Sequence, residues 1–334
     1  MTLTTPVKCA WLLLVLCAVA TIALVGKDAR AGTPPPRPGS TGPRLRTTRL
    51  PNGEPGLVDA GGYAVPLRKY QRIGAGTTIA DDLLLALAEP ERIAMLTRFG
   101  REHKAHSHLY GARAEFGGPS SLEELRAQGI DLLILNHLGA PAELARAREL
   151  GVEVFNLGEM RGLPTLLTNI AQVAALVGSP ERGERLSAQL LRRMHGVAAD
   201  IAPAARKRAV YVSAYGGQLF GGTVPSSYHD VLTAAGLVDV AAARFRDYPH
   251  YDPEQLLDLD PDVIVTQPAS VELLCRVSGL ARLRACMDGG AGVIGLDDAL
   301  LGDPGLGMLD AAEALRDRAY GAAAAWRPPV EPQK

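Results

Sequence analysis

Three imidazoles and a phenol fall within eight residues: His103, His106, His108 and Tyr110, in the run Arg101-Glu-His-Lys-Ala-His-Ser-His-Leu-Tyr110. Imidazole nitrogen suits iron, zinc and copper, and a phenolate suits ferric iron or haem. A metal site would fall on the three histidines. Their spacing matches no zinc motif, so a solvated polar loop is the plainer reading of the same residues. A second set lies past mid-chain. Tyr215, Gln218 and Phe220 sit in a Gly-rich run, Tyr215 to Gly222, where glycines let backbone approach a ligand closely. Ser226-Ser-Tyr-His229 follows; one serine is expected to cap a helix, and Tyr228 or His229 can then face a ligand. Tyr248, His250 and Tyr251 form a third aromatic-polar run. Arg244 and Arg246 suit an anionic group such as a carboxylate or catecholate, or else a solvated loop.

These runs need elements to hold them. Gln71-Arg-Ile through Asp82 reads as a strand end, a small-residue loop and a helix start, with Thr77 or Thr78 as the cap of a helix through Leu87. Arg92–Thr97 is the next strand, so the histidine run leaves its carboxyl end. Leu122–Gln128 reads as a helix, Asp131–Leu135 as a buried strand, Ala142–Leu150 as a helix and Val152–Asn156 as a strand. Strands alternating with helices imply a parallel sheet covered on both faces. The rhythm then breaks: Leu163–Val177 is one helix, Gly178-Ser-Pro-Glu181 is punctuation, and Glu181–Ile201 is a long helical stretch. Alternation resumes with strand Arg208–Ser213, the Gly-rich loop, helix Tyr228–Ala235, helix Pro253–Leu259, strands Asp262–Thr266 and Val293–Leu296, and closing helix Gly307–Tyr320. Leu122-Glu-Glu-Leu through Leu135 and Pro253-Glu-Gln-Leu through Thr266 echo each other: each is a short helix running into a strand that begins at an Asp.

The chain has 334 residues, 47% hydrophobic and 21% charged, with net charge −1. That excludes a disordered chain and gives no electrostatic case for nucleic acid. Residues 1–31 read as a secretory signal: Lys8, an uncharged apolar run Cys9–Val25, then Ala29-Arg30-Ala31 as a small-x-small cleavage site. An uncleaved membrane anchor is the alternative. Cleavage removes two of four Cys, and the remaining pair, Cys275 and Cys286, reads as a disulfide in an oxidising compartment. Residues 32–56, rich in Pro, Gly, Arg and Thr, read as a flexible tether, and 327–334 as a loose tail. The hairpin signal Gly56–Leu67, around Gly61-Gly62, opens the folded body. The expected organisation is an α/β lobe over 57–162, connecting helices over 163–203 and a second α/β lobe over 204–326.

This arrangement resembles the periplasmic substrate-binding proteins of ABC importers for iron–siderophores, haem and vitamin B12. Val58–Leu67, Gln71–Leu87, the two helix-then-Asp-strand units and Val231-Leu-Thr-Ala-Ala-Gly-Leu-Val-Asp239 carry the match. The resemblance implies two Rossmann-like lobes joined by a long rigid helix with the ligand cleft between them. It implies a periplasmic monomer that hands cargo to a permease and its ATPase, with no catalysis and no cofactor of its own. It assigns Thr77 and Thr78 to the ligand loop. It also implies one exposed docking Glu per lobe, which falls on Glu143 and Glu272. No G-x-S-x-G, P-loop, H-E-x-x-H or complete G-x-G-x-x-G competes, which makes an exported enzyme the least favoured reading. Trp11 lies in the signal and Trp326 is the last residue before the tail, so a Trp-lined cobalamin pocket is disfavoured and a Tyr/His cleft fits haem or a ferric chelate. A direct metal-ion receptor of the same fold remains the alternative.

Overall fold

The computed structural model describes residues 45–98, 100, 114–116, 122–136, 141–287, 289, 292–297 and 305–321. It opens with a three-stranded antiparallel sheet of β1 (Thr47–Arg49), β2 (Pro55–Val58) and β3 (Ala64–Pro66). The β2–β3 hairpin is the one the Gly61-Gly62 signal predicts. β1 corrects the tether reading: residues 45–56 belong to the folded body. Pro51-Asn52-Gly53 is a turn, with Asn52 Oδ1 accepting from the Glu54 N–H at 3.1 Å, and it folds β1 back onto β2. Turn residues and linker residues share a composition, so the sequence did not separate them.

The first parallel sheet follows the predicted alternation. Its elements are β4 (Ile73–Ala75), α1 (Thr78–Leu87), β5 (Ile93–Thr97), β6 (Ala114–Phe116), α2 (Leu122–Ala127), β7 (Leu132–Leu135), α3 (Pro141–Glu149) and β8 (Glu153–Asn156). The strand order is β6-β5-β4-β7-β8, all parallel. The chain leaves β4 toward β5 on one side and reaches β7 on the other. That reversal makes the β4 end a topological switch point, where open α/β sheets bind ligands.

Two helices follow, α4 (Leu163–Val177) and α5 (Pro180–Gly196), broken at left-handed Gly178 as the sequence predicts. The second sheet contains β9 (Arg208–Tyr215), β10 (Gln218–Gly221), β11 (Val238–Asp239), β12 (His250–Tyr251), β13 (Val263–Thr266) and β14 (Val293–Gly295). Around them lie α6 (Ser227–Ala234), α7 (Pro253–Leu259), α8 (Val271–Leu274) and α9 (Met308–Tyr320). The order is β12-β10-β9-β13-β14, with β11 also on β9. Here the expected Gly-rich loop is a hairpin. Gly216 and Gly217, at φ +58 and +77, form a two-residue turn that sends β10 back antiparallel along β9.

The echo between the lobes has a physical basis. The Asp131 carboxylate accepts from the Gln71 and Arg72 N–H groups at 2.7 and 3.0 Å. The Asp262 carboxylate accepts from the Arg208 N–H at 2.9 Å. In each lobe the Asp before one strand pins the start of the neighbouring strand. One apolar core runs through both lobes by way of Leu166, Ile170, Val173, Leu190 and Met194 of α4 and α5. Residues 43–334 accordingly form one compact unit. Cys275 and Cys286 are bonded, 5.5 Å apart at Cα. Among the described residues no helix is long and apolar enough to cross a membrane.

Candidate functional site

In the first lobe the β4 end leads into Thr77, whose hydroxyl accepts from the Ala80 N–H at 3.3 Å, while Thr78 is the first helical residue. The Thr77 side chain is therefore used as the α1 cap. One turn on, buried Asp81 accepts from the Thr97 N–H at 2.9 Å and from the Thr97 hydroxyl. This ties the carboxyl end of β5 to α1. The run carrying His103, His106, His108 and Tyr110 leaves that end and lies outside the described residues. Among the described residues no group of three His, Cys, Asp or Glu side chains could hold a metal ion.

The second lobe supplies an aromatic wall. Tyr228, in the first turn of α6, stacks on Tyr211 of β9 with ring centroids 3.8 Å apart, and meets Tyr248 edge-on at 6.4 Å. Tyr248 is 49% exposed. Partial burial, with Tyr228 and Glu159 beside it, raises its pKa above the ordinary phenol value. Arg161 acts on it in the opposite sense. Asp247, next to Tyr248 in the chain, lies 2.9 Å from Arg161 in the segment leaving β8. Phe220 of β10 meets His250 of β12 edge-on at 4.5 Å. Gln218 is exposed on the same strand, and Tyr215 at the hairpin is 79% exposed.

Tyr251 is a correction. Its ring is 6% exposed, packed over Gly221 and edge-on to Phe245. Strand alternation sends His250 outward and its neighbour into the core. The arginines are also engaged. Arg246 donates to the Ala242 and Phe245 carbonyls at 2.6 and 2.7 Å, and Arg244 lies 3.4 Å from Asp258. Ser226 occupies the α6 cap position as expected, but its buried hydroxyl makes no cap bond and has no partner among the described residues.

His229 is held by a residue that sequence reading passed over. Its Nδ1 lies 2.8 Å from Asp239 Oδ2, and the same carboxylate accepts from the Thr223 hydroxyl at 2.6 Å and the Ala241 N–H at 3.0 Å. A buried carboxylate accepts only, so Nδ1 carries the proton and Nε2 is the end left for other partners. The Asp239 hydrogen bond raises the His229 pKa against the opposing effect of burial.

Two further contacts join the lobes. Arg161, just beyond β8, lies 2.9 Å from Asp247 of the second lobe and 2.9 Å from Glu159. Asp230 of α6 accepts from the Leu163 N–H, the first residue of α4, at 2.6 Å. Burial raises the Asp230 pKa, and the backbone bond counters it. Neither acid stands out in the sequence, because each pairs with a residue more than sixty positions away.

Glu272, on α8, has a side chain 84% exposed and lies 3.9 Å from Arg276. Glu143 lies on α3. A separate hollow of about 490 Å³ is lined by Leu85, Pro90, Ile93, Leu186, Leu190 and Leu309 among others. Ile93 is the first residue of β5, so this hollow sits toward the amino edge of the sheet, away from the strand ends described above.

Residues 81–312 match the family model described as periplasmic binding protein. Among solved structures, the chain is similar to a periplasmic heme-binding protein from Pseudomonas aeruginosa at 25% identity and TM-score 0.61, over 78% of this chain and 96% of that one. It is similar to the periplasmic heme-binding protein RhuT from Roseiflexus sp. RS-1 at 22% identity and TM-score 0.61, over 75% and 98%. A periplasmic binding protein from Veillonella parvula matches at 14% identity and TM-score 0.65, over 83% and 98%. No curated protein matches the chain.

Proposed function

The chain belongs to the periplasmic binding protein family, and from that premise we propose that it captures haem between its lobes and delivers it to an ABC permease driven by its ATPase. The observation that carries this reading is the tyrosine cluster in which buried Tyr211 backs Tyr228 and the half-exposed Tyr248 stands edge-on to it. Flat conjugated ligands are held by such faces. The heme-binding function in the names of the Pseudomonas aeruginosa and Roseiflexus neighbours supports it. In this reading haem is cargo rather than cofactor, and the protein leaves it chemically unchanged. His103, His106, His108 and Tyr110 are the first lobe's candidate iron ligands. His229, presenting Nε2, and Tyr248 are candidates from the second. Tyr215, Gln218, Phe220, His250, Arg244 and Arg246 are assigned to the outer rim. Thr77 and Thr78 help by shaping the β4 end. Glu143 and Glu272 dock the lobes to the permease. Residues 1–31 export the protein, which acts as a monomer.

Titration of the purified protein with hemin, a ferric siderophore and cobalamin tests the proposal. Hemin is expected to give a saturable Soret shift at one equivalent, and the others no spectral change. A siderophore response without a hemin response would move the assignment to a ferric chelate. Silence toward all three would overturn it.

A further inference from the structure

Asp230 and Asp247 reach the same short segment, Arg161-Gly162-Leu163, from the second lobe, but in different ways. Asp230 supplies a cap that α4 lacks: no side chain of the helix's own amino end caps it, and the bond to the Leu163 N–H comes from α6. The fit there is closed. Gly162 sits at φ +77, and a Cβ on it would lie 2.1 Å from Asp230 Oδ2 and 3.0 Å from Ser226 backbone. Only glycine satisfies both the dihedral and the space. The Asp247 contact is open. Its carboxylate and the Arg161 guanidinium are 47% and 45% exposed. Yet Asp247 itself is fixed: the Thr223 N–H donates to its carbonyl at 2.9 Å, and its N–H donates to the Val224 carbonyl at 3.1 Å. Its φ of +56 aims the side chain outward toward the first lobe.

We propose that these contacts are a pivot and a latch. The Asp230–Leu163 bond is the fixed point about which the lobes move, and the Arg161–Asp247 ion pair is the contact that breaks when the cleft opens. The chemistry assigns the roles. A half-buried, charge-assisted bond to backbone, closed in by Gly162 against Asp230, persists through a small rotation. A half-exposed ion pair is weak and screened by salt, so it holds a closed state without trapping it. A receptor that must release what it captures needs that balance. This inference goes beyond the haem reading and stands whatever the cargo is.

The test uses the full chain without cargo. Spin labels on genetically encoded residues at exposed Glu124 of α2 and Glu254 of α7 report the inter-lobe distance by electron–electron resonance. At low ionic strength the wild type is expected to give a narrow distribution. Arg161→Gln and Asp247→Asn should each raise the long-distance population about two- to five-fold, the range a surface ion pair supports. Salt should do the same to the wild type and leave Arg161→Gln unchanged. Distributions for both variants that superimpose on the wild type at low salt would overturn the latch. Asp230→Ala, if it folds, should broaden the distribution at every salt concentration; a folded Asp230→Ala with a wild-type distribution would remove the pivot. A failed hemin titration would leave all of these results standing.

Discussion

Each lobe buries an aspartate beside its sheet, and the two do different things. Asp81 bonds the Thr97 N–H and hydroxyl, locking a helix to a strand end. Asp239 also bonds backbone and a threonine, but it holds in addition an imidazole that stays partly open. The first is scaffold. The second orients a side chain that can titrate and bind. The tyrosine cluster lies in the same lobe as Asp239, so among the described residues the side chains proposed to hold cargo fall mostly in the second lobe. The first lobe's described residues supply the frame.

The largest expected effect separates those aspartates. Asp239→Ala leaves a buried hydroxyl, a backbone N–H and an imidazole Nδ1–H without their acceptor. It should cost about 3–5 kcal/mol in denaturant-measured stability. Asp81→Ala should cost about 1–3 kcal/mol. Equal losses would break the comparison. Reducing Cys275–Cys286, which closes an 11-residue separation, should cost about 3 kcal/mol on the chain-entropy account. Hydrogen exchange should quicken in α8 and β14 and remain unchanged in β4 and β5. Equal quickening in both lobes would show that the shared core transmits the loss.

Glycines sharpen the contrast. A Cβ on Gly222 would meet the Tyr228 ring at 2.3 Å, whereas one on Gly74 of β4 would meet Ile130 and Leu133 at an ordinary 3.5 Å. Gly222→Ala is expected to cost about 1–3 kcal/mol and to shift the near-ultraviolet tyrosine signal, because the Tyr211–Tyr228 stack must move. Gly74→Ala should change stability by less than about 0.5 kcal/mol. A neutral Gly222→Ala would mean the wall is loose enough to rearrange around cargo.

What the sequence made legible follows the same division. Buried parallel strands such as Leu132–Leu135 and capped helices such as Pro253–Leu259 announce themselves by local period and local caps. The Gly216-Gly217 hairpin was read as a loop because β10 is four residues long and one of them is glycine. β6, three residues at the sheet edge, has no period to read. Asp230, Asp239 and Asp247 were missed for a different reason. Their meaning lies in partners distant in sequence: Leu163, Thr223 and Arg161. Tyr251 was placed on the cleft because its neighbours are polar, and only strand pairing decides which of two adjacent rings turns inward.

The last predicted effect is a pH dependence confined to the second lobe. The Asp239 bond raises the His229 pKa above its ordinary 6.5. A raised histidine contributes stability that is fully present below the unfolded pKa and is lost as pH rises through the folded one. The change should be about 1 kcal/mol, the scale of one charge-assisted bond with partial exposure. Asp230 works at the acid end. Its raised pKa means the fold favours the neutral carboxyl relative to the unfolded chain, so its contribution grows as pH falls through that value toward 3.8 and below. The His229 window opens at 6.5 and the Asp230 window at 3.8, each running upward. His229→Gln should flatten the near-neutral limb of a stability-versus-pH curve and leave the acid limb alone; Asp230→Asn should do the reverse. A near-neutral limb that survives His229→Gln would remove the imidazole from the account and leave Asp239 as scaffold, like Asp81.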